Sequence, residues 1–229
     1  MHTSNDLSHL LAGVFDMDGL MVDTESIYHL AWRKAAAELG YSLREETLLA
    51  TTGRRMEDCY MILQASLDST FPMADFKVLW LQRWYEHIDT HGIPQKPGLT
   101  ALLDLLDAHN IHKAVATSTE YPEALFTLQK ATIAERFSLI ISGDQISNGK
   151  PAPDIFLRAA ERLGVSPQQC MAFEDSEAGV LAASAAGMVT IMVPEIKHPD
   201  PLITKRAYRV FQSLHEGRQL ILDHWLQIG

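Results

Sequence analysis

After Gly98 the chain alternates short apolar runs with helical repeats, and this rhythm restricts its fold more than any other feature. Leu99, Leu102, Leu103 and Leu106 form one helix face, and 113–117 reads as a strand. A helix over 124–131 and a strand over 139–142 follow. Phe156, Ala159, Ala160 and Leu163 fall at i, i+3, i+4 and i+7, another helix face. A strand at 171–173, a small-residue helix at 178–186 and a strand at 189–193 complete the series. Such alternation implies an α/β fold, a Rossmann-like three-layer core whose parallel sheet carries helices on both faces.

One earlier strand, 10–15, is separated from the others by a segment with helical spacing and no strand pattern. Trp32, Ala35, Ala36 and Leu39 mark its first helix, which Gly40 closes. Shorter helical stretches are expected at 44–49 and 56–66, and Phe76, Leu79, Trp80, Arg83 and Trp84 mark a long one. Gly92, Pro94, Pro97 and Gly98 break the pattern. The expected organisation is an α/β core of 1–23 and 97–229, with a helical bundle cap of 24–96 inserted after the first strand. A lid over that strand's end would attach there. A last short strand is expected at 208–211 and a final helix at 216–226.

Ligands of open parallel sheets bind at the carboxyl ends of the strands. The first strand ends in Asp16 and Asp18, which can reach one pocket because alternate residues of an extended segment point the same way. Gly19 then permits a sharp turn. Other strand ends supply Thr117, Ser118 and Thr119, then Glu174, Asp175 and Ser176, and a loop supplies Lys150. Hydroxyls and backbone N–H groups ahead of a helix hold phosphate oxygens, and a lysine neutralises them. The same hydroxyls would also serve to cap the following helix. Clustered carboxylates call for a divalent cation, and an all-oxygen donor set selects a hard one, Mg²⁺ above all. One carboxylate can attack phosphorus while another moves a proton.

Composition narrows the partners. Lys and Arg number 19 against 29 Asp and Glu, a net charge of −10, which argues against nucleic acid or an anionic membrane surface. No apolar run approaches the roughly 20 residues of a membrane span. Cys59 and Cys170 form no metal-binding spacing and read as reduced, buried thiols. The start of the chain lacks an apolar signal core, and a cytoplasmic monomer is expected.

Phe15-Asp16-Met17-Asp18-Gly19, Ala116-Thr117-Ser118-Thr119, Lys150-Pro151-Ala152-Pro153-Asp154 and Phe173-Glu174-Asp175-Ser176-Glu177-Ala178-Gly179 follow one another in that order. With these motifs the chain resembles the haloacid dehalogenase-like hydrolase superfamily, in the branch of β-phosphoglucomutases and sugar-phosphate phosphatases. The resemblance implies a phosphatase acting on a small phosphorylated metabolite. Asp16 would be nucleophile and metal ligand. Asp18 would be the proton-transfer group, its backbone carbonyl also binding Mg²⁺. Thr117, Ser118 and Lys150 would hold the phosphoryl group. Asp175 would complete the metal site, with Glu174 as a further ligand or an orienter.

Substrate discrimination would fall to the cap, with Arg54, Arg55 and Tyr28 as candidates. The alternatives are a phosphosugar mutase and a non-catalytic regulator that keeps the fold. Glu120 and Tyr28 stand where similar mutases tend to carry lysine and histidine, which weighs against the first. Retention of Asp16, Asp18, Lys150 and Asp175 weighs against the second.

Overall fold

A computed structural model describes residues 7–51, 56–194 and 199–225. Strand β1, Ala12–Phe15, is buried along its whole length. Its residues alternate between two covered faces, with Ala12 and Val14 on one and Gly13 and Phe15 on the other.

The chain then leaves for a compact helical unit, residues 23–93. Helix α1, Thr24–Glu38, is capped by Asp23, whose side chain accepts the Ser26 N–H at 3.1 Å. Gly40, at φ +84°, stands just past its end. Helices α2 (Glu45–Leu49) and α3 (Met56–Ser66) follow. Helix α4, Met73–His91, buries Phe76, Trp80, Trp84 and Ile88 and packs on α1. Arg83 joins α4 to α1 with two hydrogen bonds to Glu38, at 2.6 and 2.7 Å. Tyr85, next to Trp84 on the same helix, faces outward and is 45% exposed. Among the described residues, 23–93 contains no strand.

Residues 7–22 and 94–225 lie in the second unit. An antiparallel bridge between Val22 and Gln95, and the bond from Lys96 N–H to Met21 O at 2.9 Å, pair the outgoing and returning segments. The remaining elements are α5 (Leu99–Ala108), β2 (His112–Ala116), α6 (Tyr121–Lys130), β3 (Leu139–Ile141), α7 (Asp154–Leu163), β4 (Cys170–Glu174), α8 (Glu177–Ala185), β5 (Val189–Met192), α9 (Pro201–Thr204), β6 (Arg209–Val210) and α10 (Leu214–Leu220). All strand pairs are parallel, in the order β3-β2-β1-β4-β5-β6.

The two faces of the sheet differ in side-chain size. Ala12, Val14, Ala114, Ala116 and Ala172 present a shallow surface on which Ile155, Phe156, Ala159 and Ala160 of α7 and Ala182 and Ala183 of α8 pack. The opposite face carries Phe15 stacked on Phe173, ring centroids 4.7 Å apart. The missing side chain of Gly217 on α10 leaves room for the Phe173 ring, which a Cβ there would meet at 2.9 Å. The final helix begins two residues before its expected start and passes into a π-helical turn over Ile221–Trp225. The Trp225 indole donates to the Leu10 carbonyl at 2.7 Å, tying the end of the chain to its beginning. No helix among the described residues is long and apolar enough to cross a membrane.

Candidate active site

The sheet order explains why residues far apart in sequence meet. β1 is central, with Phe15 level with Val115 on one side and Phe173 on the other. The next residues, Asp16, Ala116 and Glu174, therefore emerge together at the carboxyl edge. Asp16 keeps the register one step further, its N–H donating to Phe173 O at 3.0 Å.

Lys150 reaches this edge from the loop between β3 and α7, through a cis Lys150–Pro151 peptide. Its ammonium donates to Asp16 Oδ1, to Glu174 Oε1 at 2.5 Å and to the Ala116 carbonyl at 3.0 Å. Glu174 is fully buried, and its Oε2 accepts from the N–H of Asp175 at 3.1 Å, the N–H of Ser176 at 3.2 Å and Ser176 Oγ at 3.0 Å. Ser176 is also the N-cap of α8, its Oγ accepting the Gly179 N–H at 3.0 Å.

Burial pushes the Asp16 carboxyl up to about 8, with Glu174 and Asp18 adding to the effect and Lys150 opposing it. Burial works against the charged form of Lys150 too, but Asp16 and Glu174 outweigh it and hold the ammonium above the ordinary lysine value. One carboxylate oxygen from each of Asp16, Glu174 and Asp175 lies within 4.8 Å of the others. This all-oxygen set fits a hard divalent cation. The Asp18 carboxylate is not in that set. It accepts from Thr119 Oγ1 at 2.9 Å.

Thr117, 1% exposed, continues the ladder by donating its N–H to Ile141 O at 3.0 Å. Its Oγ1 accepts the Thr119 N–H at 3.1 Å, which leaves the hydroxyl proton to donate elsewhere. Ser118 follows, exposed at the same edge. Tyr28 lies on α1 in the helical unit, stacked on Trp84 at 5.6 Å and edge-on to Trp80 at 5.8 Å. Arg54 and Arg55 lie outside the described residues.

Residues 14–193 match the protein family described as haloacid dehalogenase-like hydrolase. The chain belongs to the haloacid dehalogenase-like hydrolases. The phosphorylated carbohydrates phosphatase of Thermotoga maritima is 32% identical over 213 residues, covering 92% of this chain and 89% of that protein. Hexitol phosphatase A of Escherichia coli is 32% identical over 210 residues, 90% and 91% of the two chains. A Thermotoga maritima crystal structure, named provisionally as β-phosphoglucomutase, superposes with a TM-score of 0.83 at 29% identity, covering 93% of this chain and 99% of that one.

Within this hydrolase three residues hold the site in a way that the sequence expectations, phosphate contact or helix capping for the hydroxyls, did not include. Thr119 holds Asp18, and Ser176 holds Glu174. Gly179 makes room for Glu174, because a Cβ there would lie 1.9 Å from its carboxylate. Thr119 and Ser176 stand among the strand-end hydroxyls and Gly179 closes the last motif, but nothing in the sequence pairs any of them with its partner.

Proposed function

We propose that this hydrolase is a Mg²⁺-dependent phosphatase of small phosphorylated metabolites, sugar phosphates foremost, working through an aspartyl-phosphate on Asp16. One observation carries the reading: a buried lysine, two buried carboxylates and a third carboxylate converge at the carboxyl edge of the central strand. The substrate class is supported by the relatives named for phosphorylated carbohydrates and hexitols.

In the first step an Asp16 oxygen attacks phosphorus, the bond to the leaving oxygen breaks, and Asp18 gives that oxygen its proton. In the second, Asp18 takes a proton from water as the water attacks the same phosphorus, releasing inorganic phosphate and the Asp16 carboxylate. Lys150 and the Thr117 hydroxyl hold phosphoryl oxygens, and Lys150 keeps Asp16 directed between the steps. Asp16, Glu174 and Asp175 are the side chains that would hold Mg²⁺, which supplies positive charge for the transferring group and favours ionised Asp16.

Hydrolysis is preferred to mutase chemistry because an acidic residue, Glu120, directly follows Thr119. An anion there repels the second phosphate of a sugar bisphosphate. The test is phosphate release from hexose 1-phosphates, hexose 6-phosphates, hexitol phosphates and nucleoside monophosphates, with Mg²⁺ and with chelator, beside Asp16→Asn. Metal-dependent release that disappears in the variant supports the reading. Release that survives in Asp16→Asn refutes it.

A further inference from the structure

Thr119 and Asp18 are 101 residues apart in sequence, yet joined by one hydrogen bond. Both ends of that bond rest on fixed backbone. The Thr119 N–H is held by Thr117 Oγ1 at 3.1 Å, and its carbonyl by the Gly143 N–H at 3.1 Å. Gly143 can come so near because it has no Cβ: one would lie 2.2 Å from the Ser118 carbonyl oxygen. On the other side, Gly19 N–H donates to Val22 O at 3.0 Å, and Met21 and Val22 N–H both donate to Met17 O. The Thr119 hydroxyl does not serve the adjacent helix, since the N-cap of α6 is Glu120.

Fixed backbone does not set the direction of a carboxylate, whose last torsion is broad and soft. A hydrogen bond from a rigid donor does set it, and proton transfer depends on that direction. We propose that Thr119 is a positioning residue for proton transfer: its hydroxyl pins Asp18 through Oδ2, so that the transferred proton is carried on Oδ1. The proposal rests on the reading of Asp18 as the proton-transfer group.

The test uses leaving groups of different basicity. An alkoxide leaving from a sugar phosphate needs protonation, whereas p-nitrophenolate leaves without it. Thr119→Val, Thr119→Ser and Asp18→Asn are compared with wild type by kcat/KM, which covers the steps up to departure of the leaving group. The substrates are the sugar phosphate hydrolysed fastest in the screen above and p-nitrophenyl phosphate. Thr119→Val should lower kcat/KM on the sugar phosphate about 10- to 100-fold, with a much smaller change on p-nitrophenyl phosphate. Thr119→Ser should restore the sugar phosphate rate, and Asp18→Asn should show the same substrate dependence more strongly. Equal losses on both substrates in Thr119→Val, or no loss, overturn the proposal while a selective loss in Asp18→Asn leaves the reading of Asp18 standing. Equal losses in Asp18→Asn overturn both.

Discussion

Replacing Gly179 by alanine should harm this protein where the same change in most helices would help. Gly179 is the third residue of α8, and its φ is not positive, so the backbone accepts alanine. Helix propensity alone predicts a gain of about 1 kcal/mol. The space predicts the opposite. A Cβ at this position lies 1.9 Å from both Cδ and Oε1 of Glu174 and 2.2 Å from Oε2, against 3.4–4 Å for ordinary contact. The carboxylate, or the turn of α8 above it, must move by about 1.5 Å. Glu174 has nowhere to go without leaving Lys150, since it is fully buried and its other oxygen is held by Asp175 and Ser176.

Disrupting a buried, hydrogen-bonded ion pair costs about 3–5 kcal/mol, so the net loss after the helix gain is roughly 2–4 kcal/mol. For a chain of this size that lowers Tm by roughly 5–15 °C. Under the proposed mechanism, misplacing Lys150 and Asp16 by about 1 Å should also lower kcat about 100-fold. Thermal melting and steady-state hydrolysis measure the two effects. A Gly179→Ala variant as stable and as active as wild type, or more stable, would refute the reasoning.

Lys150→Met should lower kcat by about 10³-fold, and Lys150→Arg should not restore it, because the pocket between Asp16, Glu174 and Ala116 is shaped for a point charge; steady-state kinetics of both variants check this. Mg²⁺ should raise Tm in the absence of substrate, as any ligand of the folded state does, and Asp175→Asn should weaken that shift; differential scanning calorimetry with Mg²⁺ and with chelator reads it. Asp107 offers a pH test away from the site. Burial raises its carboxyl, but bonds from Lys113 and Arg136 outweigh that and hold it below its usual 3.8. A depressed carboxyl stabilises the fold above its unfolded value, and that stability is lost as pH falls through the lower folded value. Asp107→Asn should therefore melt below wild type at neutral pH, with the gap closing below about pH 4 in melting curves taken across that range.

The α/β rhythm was legible because each element carries its own periodicity. The helix expected at 56–66 is present with those bounds, and the strands shift by one or two residues at their ends. The first strand shows why such ends slip. Leu10 and Leu11 continue the apolar run, but Leu11 is 49% exposed and regular pairing starts only at Ala12. Strand order was not legible, because parallel pairing joins residues far apart and leaves no local pattern. The same limit hid Thr119 and Gly179. Each acts on a residue through space, and neither a threonine before a helix nor a glycine among alanines names its partner. Asp16, Asp18, Thr117, Glu174 and Asp175 were selected because their motifs stand at strand ends, which the sheet gathers at one edge, and Lys150 because its loop motif follows in order; the loop carries it to the same edge.

Trapping the phosphorylated enzyme tests the account most directly. Enzyme and sugar phosphate are mixed with Mg²⁺, quenched in acid within milliseconds, digested and analysed by mass spectrometry. The account predicts a single hydroxylamine-sensitive phosphoryl group on Asp16, formed and lost at rates consistent with turnover and absent in Asp16→Asn. A phosphoryl group on another residue, or rapid hydrolysis with none on Asp16, would contradict it.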